Sequence, residues 1–226
     1  MSAPKFHWRI RSNFVEDGKI FDTESGEFPL TIGKDVGEIA TFGAKLNKKS
    51  MSCGLTLPPE IKTFFGVNPF TISIWFKTTS TKGNSTVFGN RSAGSHGKFF
   101  CIRYAAKHIS AEFDDDGRTY APMRCDRELN DGQWHQVIVI RDGVTHQLII
   151  DKELSCSIDT ASPIDLNKNT HDDYRLGVCP ISNVYNLYFE GCIGDVAIYD
   201  RALTLNQVAE IAVFPSLSRA KSAAKQ

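Results

Sequence analysis

Residues 130–154 read "NDGQWHQVIVIRDGVTHQLIIDKEL". A tryptophan, two histidines and several carboxylates crowd this stretch, an inventory that suits an active site. Side-chain period and turn chemistry point elsewhere. In "WHQVIVI", Trp134, Gln136, Ile138 and Ile140 share one face and His135, Val137 and Val139 the other, so both faces are largely apolar. Such a strand belongs in the middle of a sheet, covered on both sides. "RDG" then sets Asp142-Gly143 between two strand-like runs, and Asp-Gly accepts the positive φ of a tight hairpin. "THQLIID" returns beside its partner. The expectation is a hairpin in which Trp134 anchors the core and His135 is a half-buried strand residue satisfied by one hydrogen bond.

Working outward, runs of four to eight residues such as "FTISIWFK", "KFFCIRY" and "CIGDVAIY" recur between Gly, Pro, Asn and Asp clusters, the pattern of an all-β chain. In "FTISIWFK", Phe70, Ile72, Ile74 and Phe76 alternate with Thr71, Ser73, Trp75 and Lys77, which places one face on a core. "DDDG", Asp114 to Gly117, predicts a second hairpin. One helix is predicted in "TLNQVAEIAVF". Thr204 and Gln207 form a capping box, Leu205, Val208 and Ile211 line one face, and Pro215 ends it. No linker or repeat divides the chain. The expectation is a single two-sheet antiparallel sandwich over residues 1–214, followed by a polar, basic and mobile tail at 215–226.

Three segments in order, "FTISIWFKTT", the opening stretch and "FEGCIGDVAIYDRALTLNQVAEI", resemble the laminin-G-like members of the concanavalin A-like lectin and glucanase superfamily. "GKIFDTESGEFPLTIG" and "FGAKLNKKSMSCGLTLP" are similar to the opening strands of that family. The resemblance implies a jelly-roll sandwich of about a dozen or more strands. "IIDKEL" departs from the family's "YVDG" by placing Lys152 where Gly is usual, which puts a tight turn there in question. The resemblance also implies one structural Ca2+ held by Asp22, Ser25 and Asp195, although "SGEFP" lacks side-chain oxygens found in the family loop. The alternative is that Asp195 bonds backbone amides of the first strand without metal. "FEGCI" is similar to animal laminin-G and neurexin modules, which implies a Cys179–Cys192 disulfide in an oxidising compartment only.

Composition narrows the partners. Lys plus Arg and Asp plus Glu both number 26, so no long-range field favours nucleic acid or an anionic membrane. No run approaches the roughly 20 apolar residues needed for membrane insertion. "MSAPKFHWRI" lacks the pattern of a secretory signal; the six cysteines hold no CxxC pair, which argues against a zinc site, and their even count suits either a secreted disulfide protein or reduced, buried thiols, with the missing signal favouring the second. The expected location is therefore cytoplasmic, with unconventional export as the alternative. The sequon Asn84-Ser85-Thr86 matters only on a secretory route.

Glycoside hydrolysis needs two carboxyl groups about 5 to 9.5 Å apart across the scissile bond. No "ExDxE" or "ExDxxE" strand is present, and Glu112 with Asp114 leads into a hairpin turn, where acids serve the turn itself. A non-enzymatic recognition module is the leading expectation, lectin-like, with carbohydrate or protein as partner. The alternatives are a cytoplasmic interaction protein docking into a larger assembly, and a glycoside hydrolase with a non-standard site. For carbohydrate, rings that stack on sugar faces combine with groups that bond hydroxyls. Tyr104, Tyr120, Tyr185 and Tyr188 supply rings, and Asn90, Arg91, His96 and Arg103 supply polar groups. The loop from Asn90 to Lys98, "NRSAGSHGK", is the first choice for a functional loop.

Overall fold

A computed structural model describes residues 3–47, 50, 52–91, 96–167, 173–178 and 187–211. Among these, sixteen strands form: β1 (Phe6–Trp8), β2 (Val15–Glu16), β3 (Lys19–Ile20), β4 (Leu30–Ile32), β5 (Ala44–Leu46), β6 (Leu55–Thr56), β7 (Phe70–Lys77), β8 (Ser85–Gly89), β9 (Lys98–Ala105), β10 (His108–Asp115), β11 (Tyr120–Arg124), β12 (His135–Asp142), β13 (Thr145–Ile150), β14 (Glu153–Asp159), β15 (Arg175–Leu176) and β16 (Gly191–Tyr199). Two helices accompany them, α1 (Ile61–Phe64) and α2 (Leu205–Ile211).

The strands fall into two antiparallel sheets. The seven-stranded sheet runs β1-β16-β7-β12-β13-β14, with β5 also paired to β16, and the nine-stranded sheet runs β11-β10-β9-β8-β15-β6-β4-β3-β2. The first and last strands lie side by side, with Phe6 opposite Ile198 and Trp8 opposite Val196. Chain order thus ends where it began, and the long-range pairing closes one side of the sandwich.

The alternation expected in "FTISIWFK" is realised. Phe70, Ile72, Ile74 and Phe76 of β7 face the core together with Val137 and Val139 of β12 and Phe100, Ile102, Phe113 and Ala111 of the opposite sheet. Phe100 and Phe113 stack at 4.4 Å between centroids and 5° between planes, and Phe65 and Phe70 meet edge to face at 4.7 Å. On the reverse face of β12, Ile138 and Ile140 join Ile149, Tyr199, Leu203 and Val208 in a second, smaller cluster. Helix α2 is what covers this half of the outer face. β12 is therefore apolar on both sides for the reason its sequence suggested.

Several local expectations are corrected. Trp134 lies just before β12, only half buried, with Phe42 edge-on at 4.7 Å and the Lys77 ammonium 5.2 Å from its ring centre. It covers the rim of the sheet; the centre of the core is filled by phenylalanines. A Cβ at Gly43 would lie 2.6 Å from the Trp134 ring, so the glycine is what lets the indole settle there. The hairpin after β12 turns at Gly143-Val144, since Asp142 still pairs with Thr145. The capping box forms, with Thr204 N–H donating to Gln207 Oε1 at 2.9 Å and Gln207 N–H donating to Thr204 Oγ1 at 3.3 Å. Leu205, however, points to solvent, because Val208 alone of the expected face is fully buried. Helix α1 was not anticipated. Residues 212–226, including Pro215 and the expected tail, lie outside the described residues.

The β13–β14 connection is tight despite Lys152. Ile150 pairs with Glu153, leaving Asp151 (φ 50°) and Lys152 (φ 77°) as a two-residue turn, both in the left-handed region. Asp151 compensates for its conformation. Its Oδ1 accepts from Gln136 N–H at 2.8 Å and its Oδ2 lies 2.7 Å from His135 Nδ1.

Candidate functional site

Period-two alternation sorts strands β9, β10 and β11 into an inner and an outer row. Phe100, Ile102 and Tyr104, Ile109, Ala111 and Phe113, and Ala121 and Met123 enter the core. Arg103, Glu112, Asp114 and Tyr120 consequently lie on the outward face of the nine-stranded sheet, and the segment after β8 adds Arg91 and His96 at its margin.

The arrangement centres on Glu112. Arg91 Nη1 donates to its Oε2 at 3.0 Å and Arg103 Nη1 donates to its Oε1 at 3.1 Å, so one carboxylate bridges two guanidiniums. The Arg91 guanidinium also lies over the Phe99 ring at 4.4 Å, a cation–π contact that fixes its plane. Arg103 Nη2 donates to Asn84 Oδ1. All three charged side chains are largely buried at 16%, 16% and 11% exposure, a burial that makes their geometry stiff.

Tyr120 stands beside them with 45% of its surface exposed. Partial burial of its hydroxyl, with Glu112 and Cys101 nearby, pushes the phenol upward from its ordinary value. His96 meets the Tyr120 ring edge to face at 6.2 Å, and its Nδ1 lies 2.5 Å from Asp114 Oδ2. Asp114 is itself buried and takes the Gly117 N–H at 2.6 Å, closing the "DDDG" turn. The result is an exposed aromatic ring flanked by rigid donors and acceptors, an arrangement able to hold a polar ring by stacking and hydroxyl bonding.

Of the five expected ligand residues, Arg91, His96 and Arg103 come together here. Asn90 and Tyr104 do not. Asn90 is fully buried and its Oδ1 accepts from Phe100 N–H at 3.1 Å, so it holds the strand ladder. Tyr104 belongs to the inner row, its hydroxyl donates to Ser80 O at 2.5 Å, and burial pushes its phenol up to about 12. The one-residue step from Arg103 to Tyr104 reverses the face, which explains why only one of the two is available. Tyr188 is half buried in a bridge to Val178, and Tyr185 lies outside the described residues. Glu112 was read as a turn acid; its bridging role had no local signature, because its partners lie 21 and 9 residues upstream.

His135 is a scaffold group. Its two ring nitrogens face two carboxylates, Asp151 Oδ2 at 2.7 Å and Asp131 Oδ1 at 3.0 Å, where one bond was expected. The bond to Asp151, opposed by burial and aided by Asp131, raises its pKa. Burial alone would raise the Asp151 carboxyl, but the His135 bond and the Gln136 N–H outweigh it and hold it low.

The residues expected to hold calcium are otherwise engaged. Asp195 Oδ1 accepts from Ile10 N–H at 3.1 Å and Oδ2 from Arg11 Nη2 at 2.7 Å. Asp195 lies within a register shift of β16 between Ile193 and Val196, and its carboxylate meets the segment that follows β1. Asp22 Oδ1 accepts from His7 N–H at 2.5 Å, and its Oδ2 takes both the N–H and the hydroxyl of Ser25 at 2.8 Å. Protein donors fill these oxygens and a guanidinium stands against Asp195, so the donor set does not fit a divalent cation. The Asp195 carboxylate ties the terminal strands together instead. Cys179 lies outside the described residues, and with it the expected pairing to Cys192.

Solved structures share this architecture. The CBM40 domain of Ruminococcus gnavus IT-sialidase aligns with TM-score 0.60 and 18% identity over 80% of this chain and 97% of that one, and the same domain is known bound to alpha2,3 sialyllactose. A botulinum neurotoxin type C structure, described as entering cells through interaction with two ganglioside molecules, aligns with TM-score 0.68 and 14% identity over 93% of this chain and 50% of that one. The botulinum neurotoxin type G receptor binding domain aligns with TM-score 0.66 and 16% identity over 93% of this chain and 51% of that one. At these identities the likeness is one of fold. The family model Laminin_G_3 matches residues 50–209, a span that runs from before β6 through the central hairpin to most of α2 and leaves out β1–β5, and by that match the chain belongs to the concanavalin A-like lectin/glucanases superfamily.

Proposed function

We propose that the protein is a non-catalytic recognition module that binds carbohydrate on the outward face of β9–β11. The observation that carries this reading is the Arg91–Glu112–Arg103 bridge beside the exposed Tyr120 ring. The ring offers a stacking surface, and the buried parts of the bridge hold donors and acceptors in place before a ligand arrives, which lowers the ordering cost of binding. Structural neighbours known bound to sialyllactose or described with gangliosides support a sugar as the ligand class.

Binding without chemistry fits the carboxylates. Both Glu112 oxygens are taken by guanidiniums, and Asp114 is buried against His96 and the turn backbone. Neither stands as a free acid–base partner across a bound sugar.

The test is calorimetric or NMR titration against a panel of neutral and acidic oligosaccharides. Tyr120→Ala weakens the strongest binder about tenfold through lost stacking, with the unfolding temperature unchanged because the ring is exposed. Absence of binding to every glycan at high protein concentration overturns the reading.

A further inference from the structure

Tyr174 and Leu176 both enter the core, so Arg175 between them lies on the outward face of the nine-stranded sheet, on its middle strand β15. Other half-buried guanidiniums are matched: Arg11 by Asp195, and Arg91 and Arg103 by Glu112, while main-chain carbonyls take the deeply buried Arg141. Arg175 departs from that pattern. It is half-buried, its Nε–H is sealed from solvent with no acceptor, and no acceptor among the described residues meets its two Nη groups, which keep access to solvent. A partly desolvated charge without a partner costs stability until something external matches it. We infer that Arg175 is an oxyanion-binding site, independent of the sugar reading around Tyr120, which takes a carboxylate, sulfate or phosphate group on its Nη pair.

The surroundings leave room for an anion. Arg175 stands opposite Thr56 of β6 on one side and Gly89 of β8 on the other. Thr56 brings a hydroxyl within about 5 Å across the strands. Gly89 brings no side chain, and a Cβ there would lie 2.5 Å from the Cys101 Cβ, so the position is held to glycine and stays open beside the guanidinium. Beyond Thr56 the same row continues through Thr31 to Lys19, a second hydroxyl and a second cation. Asp173, two residues before Arg175, is engaged by Lys62 at 3.6 Å, and Glu112 lies three strands, about 14 Å, away. An end-on fork of two N–H donors fits two oxygens of one oxyanion, whereas a neutral hydroxyl offers it one acceptor and no charge.

NMR titration of the whole chain with glucuronate, inorganic phosphate, inorganic sulfate and glucose, at an ionic strength held constant with chloride, tests the site. The oxyanions are expected to shift the backbone amides of Thr56, Gly89 and Arg175 while glucose leaves them in place, and the ranking of glucuronate against phosphate and sulfate tells a sugar carboxylate from the inorganic groups. Arg175→Gln is expected to weaken the best of the three about tenfold or more, and Arg175→Lys to recover part of that loss, since an ammonium carries the charge without the fork. Arg175→Met is expected to raise the unfolding temperature in oxyanion-free buffer by about 2 °C or more, and the best oxyanion to raise that of wild type alone. Equal shifts from glucose and glucuronate, oxyanion shifts that avoid these three amides, or undiminished binding in a folded Arg175→Gln variant overturns the inference. A lower unfolding temperature in Arg175→Met also overturns it, by giving the guanidinium a structural role. The wild-type amide map decides the matter without any variant, and sugar binding beside Tyr120, four strands away, stands or falls separately.

Discussion

Two histidines show how one residue type takes opposite electrostatic roles. His146 is fully buried against Phe113 at 5.0 Å, and burial, reinforced by nearby Arg141, lowers its pKa to about 4. Its folded value lies below that of the unfolded chain, so the unfolded state takes up the proton first as pH falls. Stability is expected to drop by roughly 3 kcal/mol between about pH 6.5 and pH 4 from this group. Denaturant titrations of wild type and His146→Leu across that window check it, and an identical pH slope in the two proteins would refute it. His135 has the opposite sign. Its pKa is raised, so its contribution is complete below about pH 6.5 and is lost as pH rises through the higher folded value. In His135→Gln the loss of stability as pH rises through the raised folded value should disappear from denaturant titrations, and the remaining decline should lie on the acid side.

At the scale of elements, the turn between β13 and β14 stores conformational energy that the sequence could have avoided. Lys152 adopts φ 77° without the freedom of glycine. Lys152→Gly is expected to stabilise the protein by about 0.5–1 kcal/mol, seen as a higher urea midpoint at constant slope. Asp151 in the same turn has to remain, because it bonds His135 and the Gln136 amide. Strand β12 ends on another constraint. The Arg141 guanidinium is almost fully buried, donates to Asn68 O at 2.7 Å, to Ile164 O at 3.3 Å and to Phe65 O, and lies 4.7 Å from the Phe70 ring centre. Burial lowers its pKa to about 10, so it is charged at neutrality and fastens the α1 segment to the sheet. Arg141→Met leaves those carbonyls without donors and is expected to cost about 3 kcal/mol or more by chemical denaturation.

Over the whole molecule, closure depends on contacts between the two ends of the chain. Asp195 bonds Ile10 and Arg11 across 185 and 184 residues, while β1 lies along β16. With protein donors filling Asp22 and Asp195, the unfolding temperature is expected to be the same in calcium and in chelator; a rise of several degrees on adding calcium would show that a cation displaces Arg11 from Asp195. Much of the architecture was legible in sequence because it rests on short-range rules. Alternation in β7 and β12, the Thr204–Gln207 capping box and the hairpins marked by Asp-Gly, one of them reversing a residue later than expected, are each set by residues a few positions apart, and the family resemblance followed from the same segments. Arg91, His96 and Arg103 could be named, since polar side chains in and beside a glycine-rich loop are visible in a string. What could not be read was partnership. Glu112 looked like a turn acid until β9 and β10 were paired, Tyr104 looked like a sugar platform until its row turned inward, and the acids proposed for calcium were already bonded to the opposite end of the chain or to their own loop. Period and turn chemistry act through neighbouring residues, so the sequence alone determined strands, turns and the sandwich they build. Register and face decide which distant side chains meet, and only the tertiary structure determined that one carboxylate joins two arginines beside an exposed tyrosine.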